Sequence, residues 1–200
     1  MENERGELED EMTDPTQPPT EAPPKGSRRQ ASLVLVNTGD GKGKSTAAFG
    51  TAIRAVARGW KVAVIQFLKS GEWSVGEEKV GRQIGVDWWA MGDGFTWDSE
   101  SMEESEAIAR EAWAKAKEMI GSGDYQLIVL DEVTYPINWG WINIDEVLAA
   151  IGDRPLRLNL ILTGRDAPDR LVEVADTVTE MRKVKHAFDR GIVARRGIDY

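Results

Sequence analysis

The chain has 200 residues, enough for one full domain and cramped for two. Its 25 Lys and Arg against 34 Asp and Glu leave a net charge of −9, which argues against a general nucleic-acid binder, a class that carries a basic footprint. With no cysteine and one histidine, His186, a disulfide framework, thiolate chemistry and a histidine-rich zinc centre are excluded. Residues 1–30 hold five of the eight prolines, eight acids, four bases and no aromatic residue. Such a segment buries too little apolar surface to offset its ordering entropy, so it reads as a disordered acidic tail. It carries −4 of the charge and leaves −5 on a domain spanning 31–200.

From Leu33 the chain alternates short apolar runs with helical stretches. Runs at 33–37, 61–67, 86–91, 125–131 and 157–163, and a weaker one near 176–181, fit strands buried on both faces. A helix begins at Ser45 and stops at Arg58-Gly59, where glycine suits the position after the cap. A second is expected from Met102 to Ile120, with Ser101 and Glu104 spaced as a capping box and Gly121 ending it. A third covers Ile144–Ile151 behind an Asn143 cap, with Glu146 three residues on, and Pro168 opens a fourth. This alternation predicts an α/β fold with a mostly parallel sheet of about six strands and helices on both faces. The longest apolar runs, such as Leu33–Val36 and Val62–Ile65, are far short of the roughly 20 residues of a membrane span. No basic, then apolar, leader opens the chain, so a cytoplasmic protein is expected.

Thr38-Gly39-Asp40-Gly41-Lys42-Gly43-Lys44-Ser45-Thr46 follows the first strand and opens the first helix. That context turns a glycine pattern into a P-loop. Gly39, Gly41 and Gly43 let successive N–H groups turn toward phosphate oxygens, and the helix N-terminus adds partial positive charge. Lys44 is placed to reach the phosphates and the Ser45 hydroxyl to ligate Mg²⁺. The loop departs from the usual G-x-x-x-x-G-K-[ST] in having Thr38 at the first position, with glycine one place later. Lys42 reads equally as a second phosphate contact or a solvated lysine. Leu127–Leu130 ends in Asp131 and Glu132, which sets two carboxylates at the ligand-binding edge of a parallel sheet, where either suits Mg²⁺. Thr163-Gly164-Arg165 ends another strand at the same edge. Arg165 there suits a triphosphate or a ligand carboxylate, and equally a surface ion pair.

A P-loop grips a triphosphate without saying which atom is attacked. The chain has no N-K-x-D motif, which disfavours a GTPase. A small-molecule kinase, with Asp40 or Glu132 as acceptor base, and a non-catalytic ATP-binding regulator both stay open at this level. Neither uses the eight tryptophans, an excess over four Phe and three Tyr.

The blocks Thr38–Gly50, Val64–Lys69, Gly94-Phe95-Thr96-Trp97, Val129–Tyr135, Leu162–Arg165, Val184–Asp189 and Gly197–Tyr200 together resemble the P-loop ATP:corrinoid adenosyltransferases, in family order from about residue 33 to the last. The resemblance implies a RecA-like P-loop fold and transfer of the 5′-deoxyadenosyl group from ATP to the Co(I) of a reduced corrinoid, with release of triphosphate. It implies Lys44 and Glu132 at the reaction, Phe95 and Trp97 pressed against the corrin face to strip an axial ligand from Co(II), and ATP and Mg²⁺ at the phosphate loop. It further implies a homodimer and a flavoprotein electron donor. His186, in a basic segment, reads as a hydrogen-bonded structural histidine more readily than as a cobalt ligand. Some family members have a helical N-terminal segment over the site; the Pro-rich, acidic 1–30 departs from that pattern. Trp60, Trp88, Trp89 and Trp113 fall in or beside predicted elements, where packing is expected, whereas Trp73, Trp139 and Trp141 fall in loops.

Overall fold

A computed structural model of the chain describes residues 30–68, 76–92 and 102–199. The acidic tail, Phe95, Trp97, Trp73 and the Ser101 half of the expected capping box lie outside the described residues.

Six strands form one sheet: β1 (Val34–Thr38), β2 (Val62–Gln66), β3 (Asp87–Ala90), β4 (Leu127–Asp131), β5 (Asn159–Thr163) and β6 (Thr177–Glu180). Their order is β3-β2-β4-β5-β1-β6, and each neighbouring pair runs parallel. Strands β2 and β4 are buried at every position, which is why they read as unbroken apolar runs rather than alternating ones. Successive side chains nevertheless go to different layers. Val62, Val64, Leu127 and Val129 pack with α1 (Lys44–Ala57), while Ala63, Ile65, Ile128 and Leu130 pack with α3 (Met102–Ser122) and the helices after β4. Helices therefore cover both faces, as expected.

Helix α1 buries Ala48, Phe49, Ala52 and Ala55, a stripe at helical spacing whose small residues bring its axis close to the sheet. It stops as the sequence predicts: Gly59, at φ 76°, donates to Val56 O while Trp60 N donates to Ala55 O. Helix α3 does not stop at Gly121; it runs to Ser122, and Gly123 at φ 74° takes the terminal role. Gly121 has open space around it and keeps helical geometry there. Asn143 caps α5 (Ile144–Gly152) by accepting from Asp145 N. Glu146 does not close the box, because its carboxylate is engaged by Trp113 Nε1 and Lys117 Nζ. Pro168 is the N-cap of α6 (Asp169–Val174). Two helices were not expected, α2 (Gly76–Gln83) and the single turn α4 (Thr134–Asn138). Trp88 and Trp113 are core residues, but Trp60 is 41% exposed and does not pack as expected of it.

Candidate active site

The phosphate loop leaves β1 and enters α1 at Gly43, the N-cap, where no side chain caps the helix and no acid occupies its first turn. The amides at the start of α1 are thus left to an anionic ligand. Gly39 (φ 89°) and Gly43 (φ 122°) use backbone geometry closed to other residues, as the glycine pattern predicted. Gly41 is needed for space: a Cβ there would lie 2.6 Å from Met181 O. The loop is sewn to the segment after β6 by two bonds, Gly41 N to Met181 O at 2.5 Å and Met181 N to Thr38 O at 2.8 Å. The Gly41 amide is therefore engaged by Met181, a partner from outside the loop.

Lys44 Nζ donates to Gly39 O at 2.6 Å and Gly41 O at 2.8 Å, folding its cation back over the loop. Partial burial, and then the Arg165 guanidinium, push its pKa below the ordinary lysine value against the opposing pull of Asp40, Glu132 and Asp131. Lys42 pairs with Asp199 Oδ1 at 2.7 Å, and the Asp199 carboxyl, which also accepts from Arg195 N, is held below the usual range. Arg165 stands 3.7 Å from Asp40, across the loop.

Asp131 and Glu132 separate sharply. Asp131 is fully buried; its Oδ1 accepts from Thr163 Oγ1 at 2.7 Å and its Oδ2 from Gln66 Nε2 at 3.0 Å. Gln66 Oε1 in turn accepts from Trp88 Nε1 at 2.9 Å, so the network crosses from β3 to β5. Thr163 Oγ1 also accepts the Glu132 N–H at 2.9 Å, which pins Glu132 in a left-handed conformation, φ 64°. A non-glycine residue in that region is held there by its surroundings, a feature common at functional sites. Because β5 lies between β4 and β1, Thr163 stands between the acids and the phosphate loop.

The loop after β5 is fixed in the same way. Thr134 Oγ1 donates to Arg165 O at 2.7 Å, Asn138 Nδ2 to Asp166 O at 2.8 Å, and Ala167 N to Thr38 Oγ1 at 3.1 Å. Thr38, which replaces the usual first glycine, thereby ties the Arg165 loop to the phosphate loop. Nearby, Tyr135, Trp139 and Trp141 form an aromatic ladder with ring centroids 5.8 and 4.6 Å apart. Burial raises the Tyr135 pKa; Arg165 opposes that shift and Glu132 adds to it, which places this ring by the same edge.

A cleft of about 400 Å³ opens at the phosphate loop. It is lined by Asp40, Gly41, Lys42 and Lys44 of the phosphate loop, by Arg165, and by Lys183, His186, Phe188 and Asp189. Low overall pI notwithstanding, four of these groups are cationic. His186 makes the expected hydrogen bond, accepting from Phe188 N at 3.2 Å. Its place beside the phosphate loop was not expected, nor were the roles of Met181, Gln66 and Thr163. Among the described residues no group of three or more His, Cys, Asp and Glu side chains is arranged to hold a metal by itself.

Residues 30–200 match the family described as ATP:corrinoid adenosyltransferase BtuR/CobO/CobP. The corrinoid adenosyltransferase of Escherichia coli K12 is 45% identical over 171 residues, covering 86% of this chain and 87% of that one. The Salmonella typhimurium corrinoid adenosyltransferase CobA is 41% identical over 174 residues, covering 87% and 88%. The chain belongs to this family. A Pseudomonas aeruginosa corrinoid adenosyltransferase is 42% identical over 176 residues, covering 87% of this chain and 86% of that one. Membership disfavours the kinase and regulator alternatives. In three dimensions the chain is similar to the flagellar accessory protein FlaH of Methanocaldococcus jannaschii, with TM-score 0.52 and 13% identity over 78% of this chain and 73% of that one, a likeness of fold alone. No helix among the described residues is long and apolar enough to cross a membrane.

Proposed function

We propose that this chain transfers the 5′-deoxyadenosyl group of ATP to the cobalt of a reduced corrinoid. The Co–C5′ bond forms as the C5′–O bond breaks, and triphosphate leaves with the electron pair. The observation that carries the reading is the uncapped start of α1 with Lys44 folded over it, in a chain of this family. Co(I) is a strong nucleophile and needs no protein base. The protein has to hold C5′ in line with cobalt, an orientation effect worth on the order of 7–11 kcal/mol at best. It must also stabilise the charge gathering on triphosphate, a task that falls to Lys44, Arg165 and the amides that open α1.

We assign Mg²⁺ to the Ser45 hydroxyl and Glu132 carboxylate, hard oxygen donors of the kind that ion takes. When bound it supplies further positive charge to the triphosphate. Asp131, its oxygens taken by Gln66 and Thr163, serves to place Glu132. Phe95 and Trp97 keep their proposed place against the corrin face, the Tyr135–Trp139–Trp141 ladder fits the rim of such a flat ligand, and Thr38 and Thr46 complete the nucleotide site. Residues 31–200 are the catalytic unit in this reading, with 1–30 as its tail, a homodimer as its assembly, a flavoprotein as electron donor and the cytoplasm as its location.

The test incubates the full chain with ATP, Mg²⁺ and chemically reduced cobalamin, following the corrinoid spectrum and the phosphate product. A cobalt–carbon product with triphosphate is expected; ADP would identify a kinase instead. Trp97→Ala should lose roughly tenfold more activity, about 1.4 kcal/mol, when Co(II) must be reduced on the enzyme than when Co(I) is supplied. Equal losses in the two assays would remove the axial-ligand role.

A further inference from the structure

The part of the cleft lining that comes after β6 holds a large ring that the core does not use. Phe188 is 76% exposed yet lines the same space as Lys44 and Arg165. Its backbone is fixed in a turn. The Phe188 N–H is donated to His186 Nδ1 at 3.2 Å, and Arg190 N and Ile192 N both return to Ala187 O, at 3.0 and 3.2 Å. Gly191, at φ 72°, closes this turn, and Lys183 Nζ to Asp189 Oδ1 at 3.2 Å braces its base. The turn begins seven residues after Met181, whose backbone is bonded to Thr38 and Gly41 of the phosphate loop. The turn thus follows β6, on one side of the phosphate loop's strand, whereas Arg165 follows β5 on the other side.

A solvent-facing aromatic ring on a hydrogen-bonded turn in a cation-rich cleft is suited to stack on the flat base of a nucleotide whose phosphates the cations hold. The backbone of Phe188 is held by a neighbour that is itself part of the cleft. We propose that Phe188 is the nucleobase platform of this site, a ligand-binding residue whose contact is with the base and with neither the triphosphate nor the corrin. The inference rests on the phosphate-site reading above.

Its test compares ATP with inorganic tripolyphosphate, which has no base, by calorimetric binding to the full chain with Mg²⁺ present. Phe188→Ala should weaken ATP binding by about tenfold or more, in the range seen when a base loses its stacking partner, and leave tripolyphosphate binding within about twofold. Phe188→Trp should retain ATP affinity, and the KM for corrinoid should not move in either variant. Equal loss on both ligands would mean that the ring only shapes the loop, and unchanged ATP affinity would mean that it touches nothing; either overturns the proposal. A change confined to the corrinoid KM would reassign the ring to the corrin face and overturn it too. If the wild-type protein binds neither ligand, the phosphate site itself is misassigned and the platform falls with it.

Discussion

Lys44→Ala is expected to lower kcat/KM for ATP by about 10³-fold or more, near 4 kcal/mol, with the fold unchanged. The lysine makes its hydrogen bonds to Gly39 O and Gly41 O, carbonyls at the surface of the loop, so its removal leaves no buried charge behind. What is lost, in the proposed reaction, is a cation of the phosphate loop. The pKa shift adds a second, independent signature. Burial and Arg165 hold the free-enzyme pKa below the ordinary lysine value, so between the two values the unfolded chain binds more protons than the folded one. In that window this group makes folding stability rise with pH. A bound triphosphate acts the other way, drawing the proton back, so ATP affinity should fall as pH rises through the same window. Calorimetric titrations across the alkaline range would show the limb in the wild type and its absence in Lys44→Ala. A full alkaline limb in the variant would assign the titration to another group, and an active variant would end the role of Lys44.

How far the sequence carries this site is seen best at Asp131 and Glu132. Both acids stand at the end of an apolar run, and strands buried on both faces announce themselves as such runs. Nothing local separates the two carboxylates, because the partners that decide between them sit on other strands. Gln66 is 65 residues away and Thr163 is 32. Register brings them together: Gln66 lies opposite Asp131 on β2, while Thr163 ends β5, paired to β4 on the other side. The left-handed backbone at Glu132 is equally silent, since no glycine marks it. Helix α2 escapes a reading by period because Gly81 is its one buried residue, so it has no apolar stripe to betray one. In α4, five residues with a proline third fit no helical pattern, and the turn forms because it follows the pinned Glu132. Met181 is hidden by its position after β6, an edge strand exposed at all four residues and weak in apolar signal. By contrast the phosphate loop is legible almost whole, since its geometry is a property of contiguous residues. What those residues do not announce is their partners from elsewhere in the chain, such as Met181 on Gly41 N and Thr38 O and Asp199 on Lys42.

Gly164→Ala should be the most destabilising single methyl that can be added at the catalytic edge. Gly164 lies at φ 144°, a region nearly closed to other residues, and a Cβ there would fall 1.9 Å from Thr134 Oγ1 and 3.0 Å from Thr134 Cβ. Backbone strain and overpacking each cost about 1–3 kcal/mol, so a loss of about 3 kcal/mol or more is expected. For a domain of this size that is a Tm lower by roughly 6–12 °C. The clash also falls on the hydroxyl that holds Arg165 O at 2.7 Å, so ATP affinity should drop along with stability. Thr134→Ala alone should release the Arg165 loop at a smaller thermal cost, about 1 kcal/mol for one hydrogen bond. Combined with Gly164→Ala it should cost less than the sum, because the atom that met the new methyl most closely is gone; a coupling of about 1 kcal/mol is expected between residues in such contact. Relief should be partial, as the Thr134 Cβ remains. A Gly164→Ala protein melting within about 2 °C of wild type, a threshold of about 1 kcal/mol, would show that the β5 loop yields easily. In that case the Thr134 clasp could not be what fixes Arg165 over the phosphate loop.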